Sequence, residues 1–243
     1  MSIERYYSLI EDGYNSLVHI SHWEDPYEGF IYRGGMGQTD EQTNRIYDLY
    51  KSVYGQSWMF EHEESDVLWR AMANGERGNL VRVQTTVRKL AQSILSHVNT
   101  AQGSHKESSQ SLGIRIARIV YKNDAKFDEM LNPQEIGRIL NGNDMDGQLD
   151  FLFFKRCGFK AEKEVRVVVL ANKNRIDSSK CKRGDLLKFE IDPNKLIDGV
   201  LADPCMDRRE YERLICRTKF ALSDDAAINL IKKSKLFDWP VIK

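Results

Sequence analysis

An α+β fold with a mixed or antiparallel central sheet and flanking helices is what this sequence predicts. Alternating apolar residues mark strands, most clearly at Glu164 to Leu170, where Val165, Val167 and Val169 share one side. Apolar residues at helical spacing mark helices between such strands, as in Ile46, Leu49, Tyr50 and Val53. The two kinds of segment do not alternate regularly, so a doubly wound parallel sheet is not expected.

The elements follow in order. Leu17-Val18-His19-Ile20 favours extended chain because of its branched residues. Residues 39–54 read as a helix that Thr39 or Asp40 can cap. Glu64 to Ala73 reads as a second helix, with Ser65, Leu68, Trp69 and Met72 on one side. Leu80 to Thr85 is a strand that runs into a helix at 86–98, with Thr86 as its cap. Ile114, Ile116 and Val120 belong to one long strand ending at Tyr121. A helix is expected over 148–156, broken by Cys157-Gly158. The strand at 164–170 comes next, then shorter strands at 186–191 and 196–201 around the turn Asp192-Pro193-Asn194. A last helix is expected over 224–233. Residues 1–243 read as a single domain, with a mobile loop near 99–111 where small polar residues accumulate.

The 243 residues contain 36 basic and 36 acidic side chains, 41% hydrophobic residues and only 5 Pro. This balance excludes a disordered or collagenous chain and gives no global field toward nucleic acid or anionic membranes. No apolar run approaches a bilayer span, and the N-terminal residues lack the apolar stretch of a signal peptide, which predicts a soluble, cytoplasmic protein. Cys157, Cys181, Cys205 and Cys216 are widely spaced and form no Cys-x-x-Cys pair, and His19 and His22 would face opposite ways on a strand. No structural metal is expected. Locally the charge is uneven. Residues 1–30 carry six acidic side chains against Arg5, whereas 151–183 carry ten basic and three acidic ones. The two stretches can attract each other within the fold, or the basic one can face a polyanion or a partner protein.

No dinucleotide fingerprint, Walker lysine loop or nucleophile elbow occurs, and Gly34-Gly35-Met36-Gly37 lacks a following lysine. Charged clusters on strands are therefore the informative features. Strand periodicity projects Glu162, Glu164 and Arg166 from one face while Val165 and Val167 pack on the other. Paired carboxylates raise each other's proton affinity, and nearby cations such as Lys155 and Arg156 lower it. Such a pair suits acid–base work or stabilisation of a developing positive charge, or else forms a salt-bridge ladder on a solvated face. Phe30-Ile31-Tyr32-Arg33-Gly34-Gly35 offers an accessible guanidinium beside glycines, or an ordinary hairpin turn. Trp58 and Trp69, with Gln56, Asp66 and Arg70 nearby, can wall a pocket for a planar base or simply fill a core.

Trp23-Glu24-Asp25-Pro26-Tyr27-Glu28, Tyr54-Gly55-Gln56-Ser57-Trp58, 64–70, Val81-Arg82-Val83-Gln84-Thr85-Thr86, 155–166, Ile191-Asp192-Pro193 and Ala202-Asp203-Pro204 together resemble an uncharacterised bacterial domain-of-unknown-function family along nearly the whole chain. An aromatic-Arg-Gly, a Ser/Thr-rich strand and a later Glu-x-Glu are similar to mono-ADP-ribosyltransferases of the arginine–serine–glutamate class. That resemblance implies an ADP-ribosyltransferase-like fold, NAD as substrate and Arg33 on its phosphates. Gln84-Thr85-Thr86 then stands for the Ser-Thr-Ser strand bracing the cleft, with Ser57 as the alternative, and Arg82 and Thr85 touch the substrate. Glu164 binds the nicotinamide ribose and Glu162 positions a protein or nucleic-acid acceptor. Lys155, Arg156 and Arg166 complete the substrate contacts, in a toxin or phage-defence effector. Two rival readings remain. In one, a Mg²⁺-dependent nuclease or phosphohydrolase uses Asp25, Glu28, Glu162 and Glu164 as ligands and Lys155, Arg156 and Lys160 on phosphates. In the other, a non-catalytic module presents the 151–183 segment to nucleic acid or an acidic partner.

Overall fold

The computed structural model describes residues 1–25, 27, 28, 51–61, 63–101, 113–130, 149–171, 181–222 and 227–238. In chain order its elements are α1 (Ile3–Glu11), β1 (Tyr14–His19), β2 (Val53–Met59), α2 (Asp66–Ala73), β3 (Val81–Gln84), α3 (Val87–Ala101), β4 (Gly113–Arg118), β5 (Val120–Lys122), α4 (Asp124–Met130), β6 (Phe154–Arg156), β7 (Glu164–Leu170), β8 (Cys181–Arg183), β9 (Leu186–Glu190), α5 (Pro193–Leu196), β10 (Gly199–Ala202), α6 (Arg208–Leu222), α7 (Ala227–Leu230) and β11 (Ile231–Lys233). The fold is α+β with a central antiparallel sheet. Where the sequence reads as one domain, the residues gather into two compact units. One comprises Met1–Asn15, His62–Ser96 and Phe189–Lys243, and the other Ser16–Glu61 and His97–Lys188. Among the described residues no helix is long and apolar enough to cross a membrane.

The larger sheet has the order β4-β7-β2-β1-β9-β8. β7 lies between β4 and β2, antiparallel to both, and all seven of its residues are buried. Val165, Val167 and Val169 share a face as expected. The opposite face is equally dry, because Val168 and Leu170 pack with Ile20, Val53, Ile119, Leu149, Leu152 and Phe153. Gly55 of β2 lies under this layer. A Cβ there would come within 2.3 Å of the Trp23 ring, so glycine is what lets the indole lie flat on the sheet. Val167 is fully buried. Truncating it to alanine is expected to cost about 1.5–3 kcal/mol in chemical denaturation, and a change under about 0.5 kcal/mol would invalidate this packing.

In the first-listed unit, Ser2 caps α1 by accepting the Arg5 N–H at 3.4 Å, and Tyr6 meets Thr218 of α6 at 3.0 Å. Burial pushes the Tyr6 hydroxyl up to about 12, partly offset by the Thr218 bond. Arg217 of α6 stacks on the Tyr7 ring at 3.5 Å and grips both carboxylate oxygens of Glu11. A second sheet, β11-β10-β3, completes this unit; β10 runs parallel to β11 and antiparallel to β3.

Several expected elements differ. Val53 and Tyr54 open β2 instead of closing a helix, and residues 39–50 of that helix lie outside the described residues. The long strand ending at Tyr121 breaks at Ile119, whose N–H bonds the Glu164 carbonyl; β5 then pairs with β6 in a separate ribbon. Of the helix expected over 148–156, residues 149–150 are helical and 148 lies outside the described residues; the chain then continues as a 3₁₀ turn at Phe151–Phe153 and as β6. Asp192 caps a helical turn at α5, with Pro193 in its first turn, where 196 was expected to begin a strand. The expected late helix is helical only over α7 and turns into β11. Thr86 does cap α3, accepting the Lys89 N–H at 3.2 Å. Residues 99–101 of the expected mobile loop end that helix, and 102–111 lie outside the described residues.

Candidate functional site

Glu164 and Arg166 pair on one face of β7 as expected, but under a lid of protein and not on a solvated ladder, and Glu162 joins them only through Lys155. Arg166 is 1% exposed and Glu164 3% exposed. The Phe151–Phe153 turn covers their face of the sheet, and Arg166 Nη1 donates to the Leu152 carbonyl at 2.6 Å. Its remaining donors reach carboxylates. Nε meets Glu164 Oε1 at 2.7 Å, and Nη2 meets Glu164 Oε2 at 3.0 Å and Glu28 Oε1 at 2.8 Å. The Trp23 ring lies 4.4 Å from the guanidinium carbon and shields the pair from the side. Ser57, opposite Arg166 on β2, donates to Glu164 Oε1 at 2.6 Å.

Lys155, on β6, sits at the centre of three carboxylates. Its Nζ is 2.7 Å from Glu162, 3.0 Å from Glu28 and 3.3 Å from Glu164. Three negative and two positive groups leave this network one formal charge negative. Tyr121 Oη accepts the Glu164 N–H at 2.9 Å, so β5 anchors the strand's first residue. Glu162 belongs to a 3₁₀ helix, Cys157–Glu162, and Lys163 then adopts a left-handed conformation with φ 43° before β7 begins. In a 3₁₀ helix residues three apart eclipse each other, and Phe159 and Glu162 accordingly both meet Lys155. Glu162 is the accessible member: its side chain is 35% exposed, and its second oxygen accepts nothing from the described residues. Arg156 pairs with Asp25 at 3.1 Å and lies against the rings of Tyr27 and Phe159. This leaves Asp25 Oδ2 and Arg156 Nε buried without partners among the described residues.

The acidic N-terminal stretch and the basic 151–183 stretch therefore meet within one unit, through Asp25–Arg156, Glu28–Lys155 and Glu28–Arg166.

The electrostatics follow. Burial pushes the Glu164 carboxyl up, but the hydrogen bonds and charge of Arg166, the Ser57 bond and the Lys155 charge outweigh it and hold it below the ordinary 4.5. Burial pushes the Lys155 ammonium down, and the Glu162 bond with the charges of Glu28 and Glu164 overcomes this, raising it above 10.5. A depressed carboxyl stabilises the fold above its unfolded value and loses that contribution as pH falls through the folded one. A raised ammonium contributes below its unfolded value and loses it as pH rises through the folded one. The contribution of this network to the urea midpoint is therefore expected to hold between roughly pH 5 and pH 10 and to fall on either side. A midpoint that climbs below pH 4 would contradict the Glu164 pairing.

Not every expected residue joins the network. The register sets Gln56 opposite Val167 and Trp58 opposite Val165, on the sheet face away from Glu164 and Arg166. There Trp58 Nε1 donates to Gln56 Oε1 at 2.9 Å, and Gln56 Nε2 to the Ser16 carbonyl at 3.2 Å. One residue of alternation separates them from Ser57, the side chain that faces the charges. Trp69, Arg70, Arg82 and Thr85 belong to the other unit. Arg70 pairs with Asp66 at 2.6 Å, Arg82 donates to the Glu63 carbonyl at 3.3 Å, Thr85 donates to the Leu196 carbonyl at 2.6 Å, and Trp69 is half-buried on α2. Arg33 lies outside the described residues. Sequence reasoning missed two participants, Trp23 and Tyr121. Trp23 was visible only as part of the Trp-Glu-Asp-Pro-Tyr-Glu segment, and no local signal marks Tyr121.

Set against protein-family models, curated proteins and solved structures, the chain matches none.

Proposed function

We propose that this chain is an NAD-consuming, ADP-ribosyltransferase-like enzyme acting in the cytoplasm as a toxin or phage-defence effector. In this reading the roles expected of the pair are exchanged: Glu162, whose side chain is 35% exposed, and not Glu164, which is 3% exposed, is the working carboxylate beside the ribose, and Glu164 is its buried support. The observation that carries it is the division of labour within the glutamate pair. Glu164 has both oxygens committed to Arg166, Ser57 and Lys155, whereas the Glu162 side chain is 35% exposed and spends one oxygen on Lys155, the other accepting nothing from the described residues. The resemblance to the arginine–serine–glutamate class asks for a Ser/Thr-rich strand that braces the cleft. The bond from Ser57 on β2 to Glu164 supports the alternative assignment of that strand over Gln84-Thr85-Thr86, where Thr85 bonds the Leu196 carbonyl.

The reaction is cleavage of the bond between the nicotinamide nitrogen and the ribose. The bonding pair leaves with nicotinamide, and the ribose carbon becomes oxocarbenium-like. A fixed anion beside that carbon lowers the barrier without reorganising. Glu162 supplies the anion, and the one-charge excess of carboxylate around Lys155 keeps the local potential negative. A hydroxyl, amine or water of the acceptor then bonds the ribose carbon and releases a proton. The acceptor is a protein or a nucleic acid.

Of the carboxylates of the metal-dependent alternative, Glu28, Glu162 and Glu164 gather around the Lys155 ammonium, which stands where a divalent ion would be held, and Asp25 pairs with Arg156. One assay separates the readings. The purified chain is incubated with NAD and with RNA or DNA, each with and without EDTA. Nicotinamide release that ignores EDTA is the expected result. EDTA-sensitive cleavage of nucleic acid with NAD untouched would transfer the assignment to a metal-dependent nuclease, and binding without turnover to a non-catalytic module.

A further inference from the structure

Lys155 reaches into the site from β6, where the register sets it beside Tyr121 of β5. Its side chain is 11% exposed, and the Phe159 ring lies 4.7 Å from Nζ. An ammonium group carries three hydrogens and accepts nothing. Three carboxylate oxygens surround this one, Glu162 Oε2, Glu28 Oε1 and Glu164 Oε2, so no donor is left over for a substrate. The three carboxylates are not equally held. Arg166 also grips Glu28 and Glu164, whereas Lys155 is the sole charged partner of Glu162 among the described residues.

We infer that Lys155 is a positioning residue, which fixes the Glu162 carboxylate in place and in its charged form. The inference rests on the role given to Glu162 above. Glu28 and Glu164 converge on the same ammonium and would repel a third carboxylate brought there without it. Without that cation the network passes from one net negative charge to two. Arg166 keeps Glu28 and Glu164 in their places, so the repulsion is relieved at Glu162, the most exposed and least tethered member. Glu162 then swings toward solvent or binds a proton, and in both cases the anion beside the ribose is lost. The other charged or titratable groups around the network are committed and do not substitute. Tyr121 accepts the Glu164 N–H, Arg156 pairs with Asp25, and Lys163 pairs with Glu61.

Nicotinamide release against pH tests the inference on the full chain, with Lys155→Met and Lys155→Arg beside the wild type. Lys155→Met is expected to turn over about tenfold or more slowly at pH 7, with KM within about threefold of wild type and the acid limb moved up by about one pH unit. Lys155→Arg keeps a cation and is expected to return the acid limb to its wild-type position. The Glu28→Gln/Lys155→Met double variant controls for folding, because it keeps the network at one net negative charge. It is expected to melt near the wild type and to stay slow. A Lys155 ammonium signal in proton–nitrogen NMR at neutral pH, exchanging faster in Glu162→Gln, reads the pairing without any turnover. Wild-type turnover or an unmoved acid limb in Lys155→Met, a fast double variant, or an ammonium signal that ignores Glu162→Gln would overturn the inference. A wild type that leaves NAD untouched overturns instead the reaction proposed above, and the ammonium signal then decides the pairing alone.

Discussion

Arg166→Met is expected to destabilise the fold by about 3–5 kcal/mol, the largest stability effect of any single exchange proposed for this chain. The methionine fills much of the same space, so packing is not the main loss. What is lost is charge balance. Glu164 and Glu28 stay buried at 3% and 6% exposure with Lys155 as their remaining close cation, and the network moves from one net negative charge to two. The Leu152 carbonyl also loses its donor. Against the 5–15 kcal/mol typical of whole domains, such a loss removes much of the stability, read as a fall in the urea midpoint. A companion variant separates charge from packing. Replacing Glu28, Glu164 and Arg166 together by apolar residues of similar volume removes the imbalance, and such exchanges are often neutral or stabilising. If the triple variant is as unstable as Arg166→Met, the network acts through shape and not through charge. If it recovers, these ions are not present for stability, and their retention points to the chemistry at Glu162.

The sequence made some of this arrangement legible. β7 was visible in full because three alternating valines in a short segment leave few alternatives to a strand. The pairing of the acidic and basic stretches was visible as a charge asymmetry, although which residues pair was not. What stayed hidden depends on non-local geometry. A strand reading of Glu162-Lys163-Glu164-Val165-Arg166 assumes one wet face. The turn that dries it, Phe151–Phe153, falls within the segment read as a helix ending at Cys157-Gly158. The same reading put Glu162 on the strand, whereas the left-handed Lys163 ends a 3₁₀ helix between the two glutamates. Gln56 and Trp58 illustrate a register problem. Their types suit a binding pocket, yet only the pairing of β2 with β7 tells that Ser57 faces the charges. α6 was overlooked for a different reason. Its apolar stripe is only Leu214, Thr218 and Leu222, within a charged sequence, although Asp207 caps it by accepting the Glu210 N–H at 2.8 Å.

Glu162→Gln is expected to lower nicotinamide release at least a hundredfold while leaving the unfolding midpoint within about 0.5 kcal/mol of wild type. The amide keeps the shape and one carbonyl oxygen for Lys155, so the 3₁₀ helix and the left-handed turn at Lys163 have no reason to move. It cannot hold negative charge beside an oxocarbenium-like ribose, and the loss therefore falls on the turnover rate and not on substrate affinity. Glu164→Gln provides the contrast. That carboxylate accepts from Arg166 through both oxygens, from Ser57 and from Lys155, so its neutralisation leaves Arg166 short of charge in a dry site. Its expected signature is a destabilised protein whose residual activity follows the folded fraction. Measuring midpoint and turnover on both variants resolves the roles. A stable Glu162→Gln with wild-type turnover, beside a stable Glu164→Gln that has lost it, would reverse the assignment, because the buried carboxylate would then have to reach the substrate through a rearrangement of the Phe151–Phe153 turn that covers it. Loss of turnover in Glu162→Gln alone, at unchanged stability, is the result that follows from a partly exposed carboxylate held 2.7 Å from Lys155 through one of its oxygens.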